Sequence, residues 1–160
     1  MKAISFLIAS ALLIIISTTG VVLAGSNDNH TVTVQVNAIN ELAITGGNKT
    51  LTINAATAGQ NPNNTTNTQC NLAWTTNETG KKVTVATNLA SQNFTLKVEA
   101  TSVTGGTSAG DVTLTDTAAD FVTGVAETTG NCTLFYTASA TAAQGTGSDV
   151  HTVTYTLTAS

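Results

Sequence analysis

The sequence predicts an all-β chain, folded as one two-sheet β-sandwich behind an N-terminal leader, and three observations carry that expectation. From residue 25 onward the chain is built on threonine, with 32 Thr among 136 residues; Thr and Val, stiff at χ1, suit a pleated surface better than a helix. Apolar residues recur with a period of two in short runs, and nothing after residue 25 has helical spacing. Gly, Asn, Ser and Thr clusters separate the runs at intervals of roughly 8 to 14 residues, as in a sandwich and unlike a βαβ unit or a helical repeat. At 160 residues there is room for one domain with one core.

The leader comes first. Lys2 precedes an apolar run from Ala3 to Ile16 broken only by Ser5 and Ser10; Ser17 to Gly20 and Val21 to Ala24 follow, before the polar stretch Gly25-Ser26-Asn27-Asp28. Val22 and Ala24 occupy the small-residue positions of a secretory cleavage site, so residues 1–24 read as a signal peptide and Gly25 as the new N-terminus. Two alternatives retain the apolar segment. One resembles the leader of type IV pilins, with cleavage just before Ile4, and the other is an uncleaved anchor, since Ala3 to Ala24 is long enough to cross a bilayer. All three place residues 25–160 outside the cytoplasm, and the signal-peptide reading involves the membrane only during export.

The strands follow in order. Val32, Val34, Val36 and Ala38 keep one parity, and Leu42 and Ile44 continue it after a bend at Asn40-Glu41. Leu51 and Ile53 suggest a further strand, and the Asn-rich stretch Thr57 to Thr68, with Pro62, a loop. Cys70, Leu72 and Trp74 alternate; Asn77-Glu78-Thr79-Gly80 then turns the chain into Val83 and Val85. Phe94, Leu96, Val98 and Ala100 give the best central-strand pattern. A Gly/Ser/Thr loop from Thr101 to Gly110 leads to Val112 and Leu114, and the last strands fall at Phe121 to Val125, Cys132 to Tyr136, and Val153, Tyr155 and Leu157. Roughly nine or ten strands result.

Charge is scarce. Only 9% of residues are charged, arginine is absent and the net charge is −4, so no basic patch is available to neutralise a run of phosphates and a nucleic-acid partner is excluded. Catalytic chemistry is equally thin. The acids Asp28, Glu41, Glu78, Glu99, Asp111, Asp116, Asp120, Glu127 and Asp149 are accompanied by only two histidines, His30 and His151, and no nucleophile elbow, zinc helix or phosphate loop is present. Solvated turn carboxylates are the better reading of the acids; Asp111, Asp116 and Asp120 lack the dense alternation of a dedicated Ca²⁺ loop. The expectation is a protein that is not an enzyme and has neither metal nor cofactor.

Cys70 and Cys132 lie on strands expected to be buried, and an even cysteine count in an exported chain makes a disulfide the default. Trp74 stands four residues after Cys70 and no Tyr stands two before Cys132, which argues against an antibody-type domain. Asn29, Asn48, Asn63, Asn64, Asn77, Asn93 and Asn131 each have Thr two residues on, a modest excess of candidate N-glycosylation acceptors.

The strand near the mature N-terminus bears most on function. Thr31-Val32-Thr33-Val34-Gln35-Val36-Asn37-Ala38 is a clean one-face alternation just after the short polar tip Gly25 to His30. Such a strand can join its own sheet or complete the sheet of a neighbour. Leader, apolar N-terminal strand, Thr/Asn-rich sandwich and low charge together resemble secreted filament subunits that polymerise by donor-strand complementation, in bacterial fimbriae and in archaeal threads and bundling pili. The resemblance implies an immunoglobulin-like, pilin-like sandwich and a homopolymer in which residues 30–38 insert Val32, Val34, Val36 and Ala38 into the next subunit. The alternative is a monomeric surface domain, adhesive or carbohydrate-binding. With one Trp and two Tyr the aromatic platform that sugar stacking needs is poorly supplied.

Overall fold

A computed structural model describes residues 25–160; the expected leader over residues 1–24 lies outside the described residues. The chain divides into two units, Met1–Gln35 and Val36–Ser160. Of the first, residues 25–35 form no helix or strand. The second is all-β, with two antiparallel sheets packed as a sandwich.

Its nine strands among the described residues are β1 (Asn40–Thr45), β2 (Thr65–Thr76), β3 (Lys81–Thr87), β4 (Thr95–Thr104), β5 (Thr107–Ser108), β6 (Asp111–Thr113), β7 (Ala119–Val125), β8 (Thr128–Ser139) and β9 (Val153–Ala159), with one 3₁₀ turn at Ala142–Gln144. The first sheet runs β1-β2-β8-β4-β6 and the second β5-β7-β3-β9.

Alternation decides which face of each strand is buried. In β2, Cys70, Leu72, Trp74 and Thr76 are buried while the residues between them are exposed. In β3, on the second sheet, Val83, Val85 and Thr87 are buried and the residues between them are half-buried. Between these strands Asn77 to Gly80 turns the chain, and Gly80 supplies the left-handed backbone at φ 64°. The two inner faces meet in a core of Leu72, Trp74, Val83, Val85, Val98, Leu114, Phe121, Val122, Val125, Cys132 and Leu134, among others. Fully burying a side chain of this size contributes roughly 1.5–3 kcal/mol. Phe121 and Tyr155 meet at a centroid distance of 5.1 Å within the second sheet, and buried Thr76 and Thr87 both find hydrogen-bond partners.

Packing fixes Gly130 as a glycine. Gly130 pairs with Trp74 across β2 and β8, and a Cβ there would stand 2.4 Å from the indole and 2.5 Å from the Thr104 carbonyl. The indole therefore lies over bare backbone and donates its N–H to the Gly105 carbonyl at 3.3 Å.

The structure departs from the sequence expectation at several points: the stretch Thr101 to Gly110, expected as a loop, holds the end of β4 and all of β5, and three others lie in the N-terminal half. Thr31 to Ile39 belongs to no strand of the sandwich, although its pattern is the cleanest in the N-terminal half. Leu51 and Ile53 are half-buried coil, not a strand; the chain leaves β1 through Gly46 and Gly47, both at positive φ. β2 begins at Thr65, inside the stretch expected to be loop.

Candidate assembly site

Val32, Val34 and Val36 are 70%, 85% and 71% exposed, and Ala38 is exposed as well. Single exposed apolar residues are ordinary, but three valines in strict alternation make an apolar strip. Where this segment enters the sandwich its backbone is gripped by one side chain. Asn77 accepts from the Ile39 N–H through Oδ1 at 2.7 Å and donates through Nδ2 to the Asn37 carbonyl at 2.8 Å. Its own N–H donates to the Ile39 carbonyl at 3.3 Å. The Asn77 amide thus acts as an extra rung of the β1–β2 ladder and holds Asn37 to Ile39 extended in line with β1.

β1 and β9 are edge strands on the same flank of the sandwich. Ladder alternation shows which backbone groups of β9 face outward. The Ser160 N–H donates to the Gly80 carbonyl at 2.8 Å and the Asn88 N–H to the Thr152 carbonyl at 3.1 Å, so the even-numbered residues of β9 direct their peptide groups to β3. Those of Val153, Tyr155, Leu157 and Ala159 therefore point away from the sheet. The inner face on this flank is incompletely covered. Ile44 is 50% exposed although its register partner Leu72 is fully buried, and Leu42, Val153 and Leu157 are only partly covered. On the opposite flank the edges are brief, two residues in β5 and three in β6, and β6 carries Asp111, paired with Lys97 at 2.9 Å.

Cys70 and Cys132 are both buried and both are free thiols, not the bridged pair expected. The register explains why. Cys70 faces Leu134 and Cys132 faces Leu72 across β2 and β8, so the thiols are diagonal neighbours on the inner face of one sheet. Diagonal neighbours stand about 7–8 Å apart, beyond the roughly 4.4–6.8 Å between Cα atoms that a disulfide spans. Burial pushes the Cys132 thiol up to about 11, and the Cys70 thiol donates to the Gly47 carbonyl at 3.6 Å.

The titratable side chains are dispersed. Lys81 pairs with Glu78 at 3.0 Å and Lys82 with Asp120 at 2.8 Å. A hydrogen bond from Asn40 and then the Lys81 ammonium hold the Glu78 carboxyl below its ordinary range. Burial lowers His151, which shares a 3.1 Å hydrogen bond with Thr87. Asp111, Asp116 and Asp120 do not gather, and no group of three metal-ligating side chains occurs among the described residues. Trp74 and Tyr155 are buried and Tyr136 is half-buried, so none offers an open face to a sugar ring. No helix among the described residues is long and apolar enough to cross a membrane.

All seven sequon asparagines, Asn29, Asn48, Asn63, Asn64, Asn77, Asn93 and Asn131, are exposed. Asn77 is the one whose side chain also braces backbone from a distant part of the chain. Sequence reasoning read it as a turn residue and an acceptor and missed the clamp; the uncharged alternation of β9 was the available sign of an open edge. Comparison with family models, with curated proteins and with solved structures finds no match to this chain.

Proposed function

We propose that this protein is the structural subunit of an extracellular filament, exported through its leader and assembled from copies of itself by insertion of the N-terminal strand into a neighbour. The observation that carries the reading is the exposure of Val32, Val34 and Val36 in a segment outside every strand of the sandwich. A β-prone apolar strip of this kind in an exported chain can complete the sheet of a second copy. Three buried valines at roughly 1.5–3 kcal/mol each, with a backbone ladder, offset much of an association cost of roughly 4–15 kcal/mol. The scarcity of charge and the dispersal of titratable groups suit a scaffold better than a catalyst.

Negative-stain microscopy of the mature protein tests the reading. Wild-type chains form filaments; Val34→Asp, which puts a carboxylate into an apolar slot, leaves folded monomers. A wild-type protein that stays monomeric at high concentration, or a Val34→Asp variant that polymerises normally, overturns it. Mass spectrometry of the N-terminus separates a mature start at Gly25 from one at Ile4.

A further inference from the structure

We infer that the acceptor for this strand is the outer edge of β9 on a second copy of the chain, with Val32, Val34 and Val36 turned into the open flank beneath Ile44. The inference rests on the filament reading and specifies its other half.

Four edges are available among the described strands, and they are not equivalent. β5 and β6 are too short to template a strand of this length, and β6 is marked by the ion-paired Asp111. β1 carries Glu41. β9 is seven residues of Val-Thr-Tyr-Thr-Leu-Thr-Ala, with no charge, Pro or Gly to discourage pairing. Its outward peptide groups belong to Val153, Tyr155, Leu157 and Ala159, the first three of which pack their side chains against the core. A strand laid along that edge continues the second sheet one place further, opposite β1. Its inward side chains then cover Ile44, half exposed at present, and the partly covered Leu42, Val153 and Leu157.

Composition matches on both faces. Valines at alternate positions of Thr31 to Ala38 meet the apolar inner face. Thr31 and Thr33 fall on the outer face beside Thr154, Thr156 and Thr158, where Thr–Thr cross-strand pairs are favourable. Occupation by the same chain's own segment is disfavoured by Asn77. By holding Asn37 to Ile39 extended along β1, it opposes the reversal that would fold the segment back onto the adjacent β9.

Cysteine pairing on the outer faces tests the placement. Three double variants of the full mature chain carry Thr33→Cys with Thr154→Cys, Thr156→Cys or Thr158→Cys, which together cover the available registers; a fourth carries Thr33→Cys with Thr113→Cys on β6. After mild copper–phenanthroline oxidation of assembled material, the expected result is a ladder of covalent multimers on non-reducing gels from at least one β9 variant, and monomer from the β6 variant and the wild type. Filaments that give no ladder from any β9 variant, or a ladder from the β6 variant alone, overturn the β9 placement and leave strand donation standing. Chains that give neither filaments nor ladders overturn strand donation itself, and the β9 placement with it.

Discussion

The hydroxyls of Tyr136 and Tyr155 lie 2.8 Å apart and join the two sheets, one tyrosine standing on β8 and the other on β9. Each hydroxyl satisfies the other in a region where water has little access. Tyr155→Phe and Tyr136→Phe should each destabilise the domain by about 1–3 kcal/mol, because each leaves one buried hydroxyl unpaired. The double variant should cost less than the sum of the two. Urea denaturation of the four proteins measures the coupling, and strict additivity would show that the pair contributes nothing jointly.

Alkaline pH should weaken the fold. Burial raises the Cys132 thiol from 9.0 to about 11 and also raises both tyrosines. All three are neutral in the native state, so above about pH 9 the unfolded chain has released the Cys132 proton that the folded chain retains. Stability then falls as pH rises, by about 1.4 kcal/mol per pH unit for each group in its window. Cys132→Val should remove the thiol's portion between about pH 9 and about 11 and leave the tyrosine portion, which opens at about pH 10. Thermal unfolding at a series of pH values distinguishes the two.

Asn77→Ala should release the chain at the entrance to β1. Two side-chain hydrogen bonds are lost, at about 1 kcal/mol each, and the Ile39 amide, which donates to the Asn77 carbonyl oxygen, should exchange with solvent much faster. Amides in the middle of β2 and β8 should keep their protection. Hydrogen exchange read residue by residue is the measurement, and unchanged protection at Ile39 would contradict the clamp.

The thiols should be silent in the folded protein and both reactive once it unfolds. Iodoacetamide added to native, unreduced protein is expected to leave Cys70 and Cys132 unmodified, and in denaturant to add two carbamidomethyl groups by mass. A denatured, unreduced protein that takes up none would restore the disulfide that the cysteine count suggests.

That contrast marks what could be read from the sequence. Parity alone placed Cys70, Leu72 and Trp74, Val83 and Val85, and Tyr155 on buried faces, because a period of two reports directly which side of a strand faces the core. It could not say that Cys70 and Cys132 lie on neighbouring strands of one sheet, since alternation carries no information about pairing. The same limit applies to Val32 to Ala38, where the pattern gives β preference and one apolar face but not the partner. Leu51 and Ile53 mislead for a local reason: two apolar residues at the right spacing are too few to outweigh the paired glycines that redirect the chain before them. β5 is too short to show any period, and β6 was legible only through Val112 and Leu114. The Asn77 clamp was hidden because a side-chain amide that mimics a peptide rung looks, in the sequence, like any other turn asparagine.

Between β5 and β6 the chain itself crosses from the second sheet to the first. Ala109 is tied to the Phe121 carbonyl at 3.0 Å and Gly110, at φ 85°, completes the passage. This flank works as the spine of a book. On the flank formed by β1 and β9 the Asn77–Gly80 turn crosses at one end, where it bonds Ile39 and Ser160, and along the rest of the flank the sheets are held together by side-chain contact. Fluctuations that part the two covers should therefore begin there, at a free energy well below global unfolding. The domain can widen along one margin and close again while its spine, and the Phe121 and Leu114 beside it, stay in place.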